Sequence, residues 1–164
     1  MLLYHRTFHA EAILREGFRD QPYLDWGMGI WFSADGPLDV NEGADGDTVL
    51  VLDIPDDVAV KYEVVQEEGC FEGESDENAP FVPCAEPPYL EFFVPADVLK
   101  PYGPPRIFAD DYRGFSRKSL LELAERLEAH GGNEGQKKAD RVRAKIPFLE
   151  QHGLLGEIED EGGG

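Results

Sequence analysis

The sequence predicts an α+β protein with its strands first and its longer helices last. Short runs rich in strand-forming residues occupy the first hundred positions, and TVLVLDIP at 48–55 is the clearest of them. Helical periodicity dominates the later part of the chain, most clearly from Ser116 to His130. With 164 residues, 41% of them hydrophobic, the chain is large enough for one domain with its own core.

The chain opens with the strand-forming residues LLYH, and a helix is predicted directly after them. Thr7 can cap this helix, and Gly17 is expected to end it. Its apolar stripe consists of Ala10, Ile13 and Leu14. The first two elements are therefore a strand and a short helix.

Three further strands are predicted after a polar loop that contains aromatic residues. GIWFS at 29–33 is followed by a turn at Asp35-Gly36-Pro37, and the run at 48–55 is expected to be buried on both faces. The segment YLEFFVPADVL at 89–99 reads as a strand closed by Pro95, with a short turn or helix after it.

Between these strands, residues 66–88 are rich in acidic residues, glycine and proline and have no periodicity, so a long loop is predicted. Loops of this length in a compact domain are usually functional or disordered. Cys70 and Cys84 fall in this segment and are expected to be free thiols in a reducing compartment. No cysteine pair has metal-ligand spacing, so no metal is expected.

The C-terminal part is predicted to be helical. The helix from Ser116 to His130 should end at Gly131-Gly132, and a second helix is predicted from about Gln136 to Ile146, before Pro147. The apolar face of the first helix consists of Leu120, Leu121, Leu123, Ala124 and Leu127. The acidic tail GEIEDEGGG is expected to be frayed.

The charge of the chain restricts its partners. Thirty-four Asp and Glu against 15 Lys and Arg give a formal net charge of -19, which disfavours attraction to nucleic-acid phosphates and to anionic membranes. A cationic partner fits this charge better. No apolar run approaches the ~20 residues of a membrane span, and the first residues lack the order of a signal peptide, so a cytoplasmic protein is expected.

Three side chains on the predicted strands stand out as candidates for chemistry: His5, Trp31 and Glu91. Strand alternation places Glu91 on one face with Tyr89 and Phe93, which fits either an acid at the lip of a cleft or an acid on an edge strand. The same alternation groups Trp31 with Gly29 and Ser33 and predicts an open ring face, although a core tryptophan fits the pattern as well. His5 fits a structural or a catalytic role.

The order of these pieces resembles the ADP-ribosyltransferase superfamily. His5-Arg6-Thr7, then GMGIWFS, then LVLDI, then YLEFFV is similar to the H-Y-E signature of its poly(ADP-ribose)-polymerase-like branch. That signature has an H-G-[ST] strand, a G-x-G-I-Y-F strand and a strand with the catalytic Glu. The resemblance covers roughly residues 3–99.

The resemblance implies a fold, a domain division and an activity. The fold would be a split β-sheet core that binds NAD+ in a cleft between two sheets. Residues 1–104 would form this catalytic core, and residues 105–164 a C-terminal helical extension packed on it, with a frayed acidic tail. The activity would be mono-ADP-ribosyl transfer from NAD+ to a macromolecular acceptor, without a metal.

The resemblance also implies roles for individual residues. His5 would hydrogen-bond the adenosine ribose, Thr7 would support the strand end or the ligand, and the Arg6 backbone would meet the nicotinamide carboxamide. Trp31 would take the place of the family's Tyr and stack on the nicotinamide, and Glu91 would be the catalytic acid. The remaining NAD+-binding positions would be Gly29, Ser33 and Tyr89.

The chemistry agrees with these residue types. The nicotinamide of NAD+ is a cationic pyridinium, and an indole face attracts such a cation by roughly 1 to 2 kcal/mol when water is excluded. Cleavage of the glycosidic bond builds positive charge on the ribose, and a nearby carboxylate stabilises that charge in the transition state. An ionised Glu91 suits this role.

The chain departs from the family pattern at three positions. Arg6 replaces the usual Gly, which would narrow the pocket entrance or add a contact to the NAD+ pyrophosphate. Tyr89 stands where arginine-modifying members carry Glu or Gln, so arginine is not implied as the acceptor. Asp39 stands where polymerase-like members have a carboxamide-binding Ser, so nicotinamide recognition would differ.

Rival functions remain open from the sequence. The acidic segment 66–88 either selects a basic protein target or is a solvated loop with no partner. An RNA 2′-phosphotransferase would share the fold and use NAD+, but Arg6, Arg15 and Arg19 are few for an RNA phosphate site. An NAD+ glycohydrolase and a non-catalytic acidic binding protein also fit the residues.

Overall fold

The computed structural model describes residues 1–34, 45–64, 69–70, 82–83 and 90–156. The chain forms two compact units, Met1–Phe108 and Ala109–Gly164. Several predictions lie outside the described residues: the turn at 35–37, Asp39, Tyr89, most of the loop 66–88 and the tail from 157. The side chains of Cys70 and Cys84 are also outside them, so the prediction of free thiols is not tested.

The protein is a mixed α+β structure, as the sequence predicts. Nine strands are described in chain order: β1 Leu2–Thr7, β2 Gln21–Pro22, β3 Met28–Ser33, β4 Thr48–Asp53, β5 Glu63–Val64, β6 Gly69–Cys70, β7 Val82–Pro83, β8 Glu91–Val94 and β9 Arg106–Asp110. Five α-helices are described: α1 Ala10–Glu16, α2 Asp56–Ala59, α3 Ala96–Leu99, α4 Arg117–His130 and α5 Gly132–Gln151. Strands therefore dominate the first unit, and the two long helices lie in the second.

Seven strands form one sheet in the order β5-β8-β3-β1-β4-β9, with β2 paired to β3 outside this path. β1 and β4 are antiparallel over six Cα pairs, from Leu2↔Asp53 to Thr7↔Thr48. β3 and β8 are antiparallel over four, from Ile30↔Val94 to Ser33↔Glu91. β1 meets β3 at the pair Tyr4↔Ser33, so a short seam joins the two halves of the sheet.

The core of the first unit lies on one face of this sheet. Apolar side chains from four neighbouring strands and from the short helices fill it: Leu3, Ile30, Phe32, Leu52, Ile54, Ala59, Phe92, Val94, Ala96 and Leu99. Phe32 and Phe92 are paired across β3 and β8 and are almost completely buried. Burial of each such side chain stabilises the fold by about 1.5–3 kcal/mol, which favours this strand register over one shifted by a residue.

The short helices of the first unit follow local signals. Gly17 ends α1 with a φ of 83°, a conformation that glycine adopts without a Cβ clash. Pro55 and Pro95 precede α2 and α3 and terminate the strands before them. Asp20 accepts a hydrogen bond from the Ala96 backbone N–H at 2.7 Å, which ties the start of α3 to the segment before β2.

The second unit is a pair of helices with a buried ion pair. Ser116 caps α4 by accepting from the Ser119 N–H at 3.1 Å, as a serine at this position commonly does. Arg143 on α5 donates two hydrogen bonds to Glu128 on α4, at 2.5 and 2.6 Å. Lys145 and Asp110 form an ion pair at 3.1 Å, and the Asp110 side chain is fully buried.

The C-terminal part differs from the sequence expectation in three details. The prediction that a helix ends before Pro147 is wrong, because α5 continues to Gln151 with Pro147 inside it. Strand β9 was not predicted and falls within the segment 105–164 that was expected to be helical. The predicted boundary at 104/105 lies four residues before the division that the contacts give. No helix in the described parts of the chain is both long and apolar enough to cross a membrane.

Candidate functional site

Three adjacent strands carry the three side chains that the sequence selects. His5 is on β1, Trp31 on β3 and Glu91 on β8, and β3 lies between the other two strands. Each of the three residues is partly exposed, although fully buried residues surround them on the same strands. Each of three neighbouring strands thus carries one partly exposed candidate side chain.

The strand register places Trp31 and Glu91 on the same face of the sheet. Ser33 is directly opposite Glu91, and Trp31 is directly opposite Phe93. Since paired residues share a face and residues two apart on a strand share a face, Trp31, Ser33 and Glu91 face the same side. Ser33 is completely buried, whereas Glu91 is partly exposed.

His5 does not share this face. Tyr4 is paired with Ser33, so alternation along β1 directs the next side chain, His5, to the opposite side. The ring contacts agree, because the imidazole lies 5.5 Å from the ring centroids of both Phe18 and Phe32. Trp31 and Glu91 therefore share one face of the sheet, and His5 lies on the other face. That the three groups line one crevice stays a prediction.

A hydrogen bond nevertheless links His5 to the tryptophan strand. The ring Nδ1–H donates to the carbonyl oxygen of Trp31 at 2.8 Å, which leaves Nε2 as an acceptor when the ring is neutral. Burial lowers the pKa of His5 below its usual value, and the bond to the Trp31 carbonyl opposes this shift in part. His5 is therefore a neutral ring that holds the backbone of Trp31.

The indole of Trp31 is partly exposed and is bordered by three aromatic rings of the protein. Phe93 lies 5.0 Å from the indole centroid, and Tyr23 and Trp26 contact it in edge geometry at 5.1 and 5.9 Å. The indole Nε1–H is buried and has no acceptor among the described residues. Tyr23 and Trp26 would therefore lie next to any ligand ring that packs on the Trp31 indole.

Gly29 makes the close packing of Phe93 possible. A Cβ at this position would lie 3.0 Å from Cε1 and Cζ of the Phe93 ring, closer than ordinary contact. Phe93 is itself held beside Trp31 and is 8% exposed. Gly29 thus leaves room for the Phe93 ring. Glycine permits this kind of close approach within a strand.

Arg6 and Thr7 lie at the end of β1 beside the start of β4. Arg6 donates from Nη1 to the Gly46 carbonyl at 3.0 Å, and alternation places its side chain on the face of Trp31 and Glu91. Thr7 is buried and accepts a hydrogen bond from the His9 N–H at 2.9 Å. A Cβ on Gly46 would lie 2.3 Å from the Thr7 nitrogen, so the two segments pack backbone against backbone.

The segment before β3 contributes residues that the sequence analysis did not select. β2 pairs with β3 through Gln21↔Gly29 and Pro22↔Met28, and residues 23–27 form the connecting loop. We call residues 21–29 the aromatic hairpin, since Tyr23 and Trp26 come from it. The available signal was two aromatics within a polar loop, but only the pairing of β2 with β3 brings them onto Trp31.

Among the residues that the structure describes, no group of three or more His, Cys, Asp and Glu side chains is placed to hold a metal ion. Tyr89, the last of the predicted NAD+-binding positions, lies outside the described part of the chain. The candidate site consists of Arg6, Trp31, Ser33 and Glu91 on one face of the sheet, with His5 behind it.

Comparison of the chain with protein-family models, with curated proteins and with solved structures finds no match.

Proposed function

We propose that this chain is an NAD+-dependent mono-ADP-ribosyltransferase with Glu91 as its catalytic carboxylate. The observation that carries the proposal is the pairing of Ser33 with Glu91 and of Trp31 with Phe93, which sets an indole and a carboxylate on one face of adjacent strands. The sequence resemblance assigns the His motif to β1 and the Trp motif to β3. These two strands pair at a short seam, which also supports a site at this place.

Electrostatics favour the substrate. NAD+ presents a pyridinium cation, and both an indole and a carboxylate attract a positive charge. When the bond between nicotinamide and ribose breaks, the bonding electrons leave with neutral nicotinamide and positive charge develops on the ribose ring. Glu91 stabilises this charge, and an acceptor nucleophile then forms the new bond to the ribose and loses its proton to solvent or base.

The other site residues have supporting roles in this proposal. His5 holds the Trp31 carbonyl from the opposite side of the sheet and so positions the indole. The Arg6 side chain, on the Trp31 face, supplies positive charge for the pyrophosphate of NAD+. Tyr23 and Trp26 border the same indole and form a wall of the nicotinamide site.

The test measures release of free nicotinamide and transfer of labelled ADP-ribose after incubation with NAD+. Glu91→Gln keeps the size of the side chain and removes its charge, and it should lower nicotinamide release about 10²–10³-fold. Glu63→Gln is the matched control: Glu63 lies on the neighbouring strand β5 and pairs with Phe92, so it faces the opposite side of the sheet. This variant should retain the wild-type rate.

The outcomes separate the rival functions. Nicotinamide release without labelling of this chain or of an added basic protein would identify a glycohydrolase that uses water as the acceptor. Release that depends on a 2′-phosphorylated RNA would favour the phosphotransferase. Binding of NAD+ without release of nicotinamide or transfer of ADP-ribose would indicate a non-catalytic acidic binding protein. Equal activity in Glu91→Gln and wild type would show that Glu91 is not the catalytic carboxylate.

A second substitution tests the indole. Trp31→Tyr retains an aromatic face of the type found in the family pattern and should keep measurable activity, whereas Trp31→Ala should weaken NAD+ binding. The expected loss is about tenfold, since a desolvated cation–π contact is worth roughly 1 to 2 kcal/mol. Thermal melting of both variants distinguishes lost binding from lost folding.

A further inference from the structure

The aromatic hairpin exposes an unusual amount of apolar surface. Leu24 is 85% exposed, Trp26 and Met28 are each 53% exposed, and Tyr23 is 44% exposed. These four residues lie within six positions of each other on one hairpin. Single exposed hydrophobic residues are ordinary on proteins, but four large ones on one short hairpin indicate an interaction surface.

Backbone hydrogen bonds give the hairpin a defined conformation. The Tyr23 N–H donates to the Gly27 carbonyl at 3.0 Å, and the Trp26 N–H donates to the Tyr23 carbonyl at 2.9 Å. Leu24 has a φ of 42°, in the left-handed region that is unfavourable for a leucine. Burial does not compensate for that conformation, because Leu24 is the most exposed large hydrophobic residue in the described part of the chain.

The net charge of the unit that contains the hairpin indicates the chemistry of its partner. Residues 1–108 contain 22 Asp and Glu against 6 Lys and Arg, a net charge of -16, whereas residues 109–164 contain 12 against 9, a net charge of -3. Asp25 adds a carboxylate to the hairpin itself. A partner that approaches this unit gains from positive charge and loses from negative charge.

We propose that the aromatic hairpin docks a basic protein segment that carries arginine and apolar side chains. Exposed tryptophan and tyrosine rings stack on guanidinium groups, and Leu24 and Met28 offer area to the partner's apolar residues. A second copy of this chain would bring two strongly acidic units together, and a nucleic acid or an anionic membrane would meet the same repulsion. The proposal concerns docking and does not depend on transferase activity.

The test is binding of a synthetic peptide of alternating arginine and leucine, measured by calorimetry at low salt. The variant Leu24→Gly/Met28→Thr removes two exposed side chains, and glycine suits the positive φ at position 24. We expect binding about tenfold weaker than wild type, with an unfolding midpoint that does not fall. Loss of docking without loss of stability would separate this role from a structural one.

Controls address charge alone and the choice of surface. Val60→Thr alters another exposed apolar residue of the same unit, 54% exposed, and should bind the peptide like wild type. A peptide of alternating glutamate and leucine should not bind, and one of arginine and serine should bind more weakly. Glu67→Gln/Glu68→Gln, in the acidic segment 66–88, should retain most of the binding.

Three results would overturn the proposal. The first is equal peptide affinity in the hairpin variant and wild type. The second is loss of binding in the Glu67/Glu68 variant with none in the hairpin variant, which would place docking on the acidic segment. The third is self-association of the wild type in sedimentation that disappears in the hairpin variant, which would make a second copy the occupant.

Discussion

At the scale of single residues, His5 lies on the face of the sheet opposite Trp31 and Glu91. A histidine near the chain start that resembles a family motif was expected to reach a ribose, but the fold places the ring against Phe18 and Phe32. Its ring nitrogen hydrogen-bonds the backbone carbonyl of Trp31. The residue therefore fixes the backbone of the strand that carries Trp31.

The burial of His5 predicts a pH dependence of stability. Its pKa in the folded protein lies below the usual 6.5, so the unfolded chain binds the proton more readily. Stability is fully present above about pH 6.5 and should be lost as the pH falls from there towards the folded-state pKa. Urea unfolding between about pH 5 and 8 measures this slope. His5→Gln should flatten it, and an unchanged slope in that variant would contradict the prediction.

At the scale of elements, α5 shows how tertiary burial overrides a local stop signal. An internal proline costs a helix about 3 kcal/mol. Ile146, Phe148 and Leu149 flank Pro147 and are all buried, and each buried side chain of this size is worth about 1.5–3 kcal/mol. The sum exceeds the cost of the proline, so the helix continues to Gln151.

Replacement of the exposed Pro147 tests this account. Pro147→Ala restores an N–H that can donate to the Arg143 carbonyl one turn earlier, and it should stabilise the protein by about 1–3 kcal/mol in urea unfolding. Pro101→Ala is the matched control, because Pro101 lies in the first turn of a short 3-10 helix, where proline is well tolerated. No gain at Pro147, or an equal gain at both positions, would argue against the burial explanation.

At the scale of the whole molecule, charge is distributed unevenly. The first unit carries a net charge of -16 and the second a net charge of -3, although both contain ion pairs. Like charges repel one another more in the compact state than in the extended chain. Screening by salt should therefore stabilise the fold.

A titration with salt measures this effect. Between about 0.01 and 0.1 M NaCl the screening length falls from about 30 to about 10 Å, and the urea midpoint should rise. Potassium chloride at the same ionic strength should give the same rise, since screening does not depend on the identity of the cation. A midpoint that stays constant or falls would contradict the prediction. It would show that salt weakens the stabilising ion pairs more than it weakens the repulsion between like charges.

Much of the first unit could be predicted from local patterns. β1, β3, β4 and β8 coincide with apolar or alternating runs, and α1 ends at Gly17 as the glycine signal predicts. β9 and β2 could not be predicted in this way, because β2 has only two residues and both strands gain their stability from pairing with distant partners. The placement of the aromatic hairpin over Trp31 depends on the same pairing.

The sequence by itself determined the α+β class, the order of the main strands and the strongly acidic charge, because these follow from composition and short-range periodicity. Only the tertiary structure decided that Trp31 and Glu91 share a face, that His5 lies behind them and that Tyr23 and Trp26 contact the indole. The physical reason is register: a pairing between strands that are far apart in the sequence sets which side chains meet, and a shift by one residue would reverse every face.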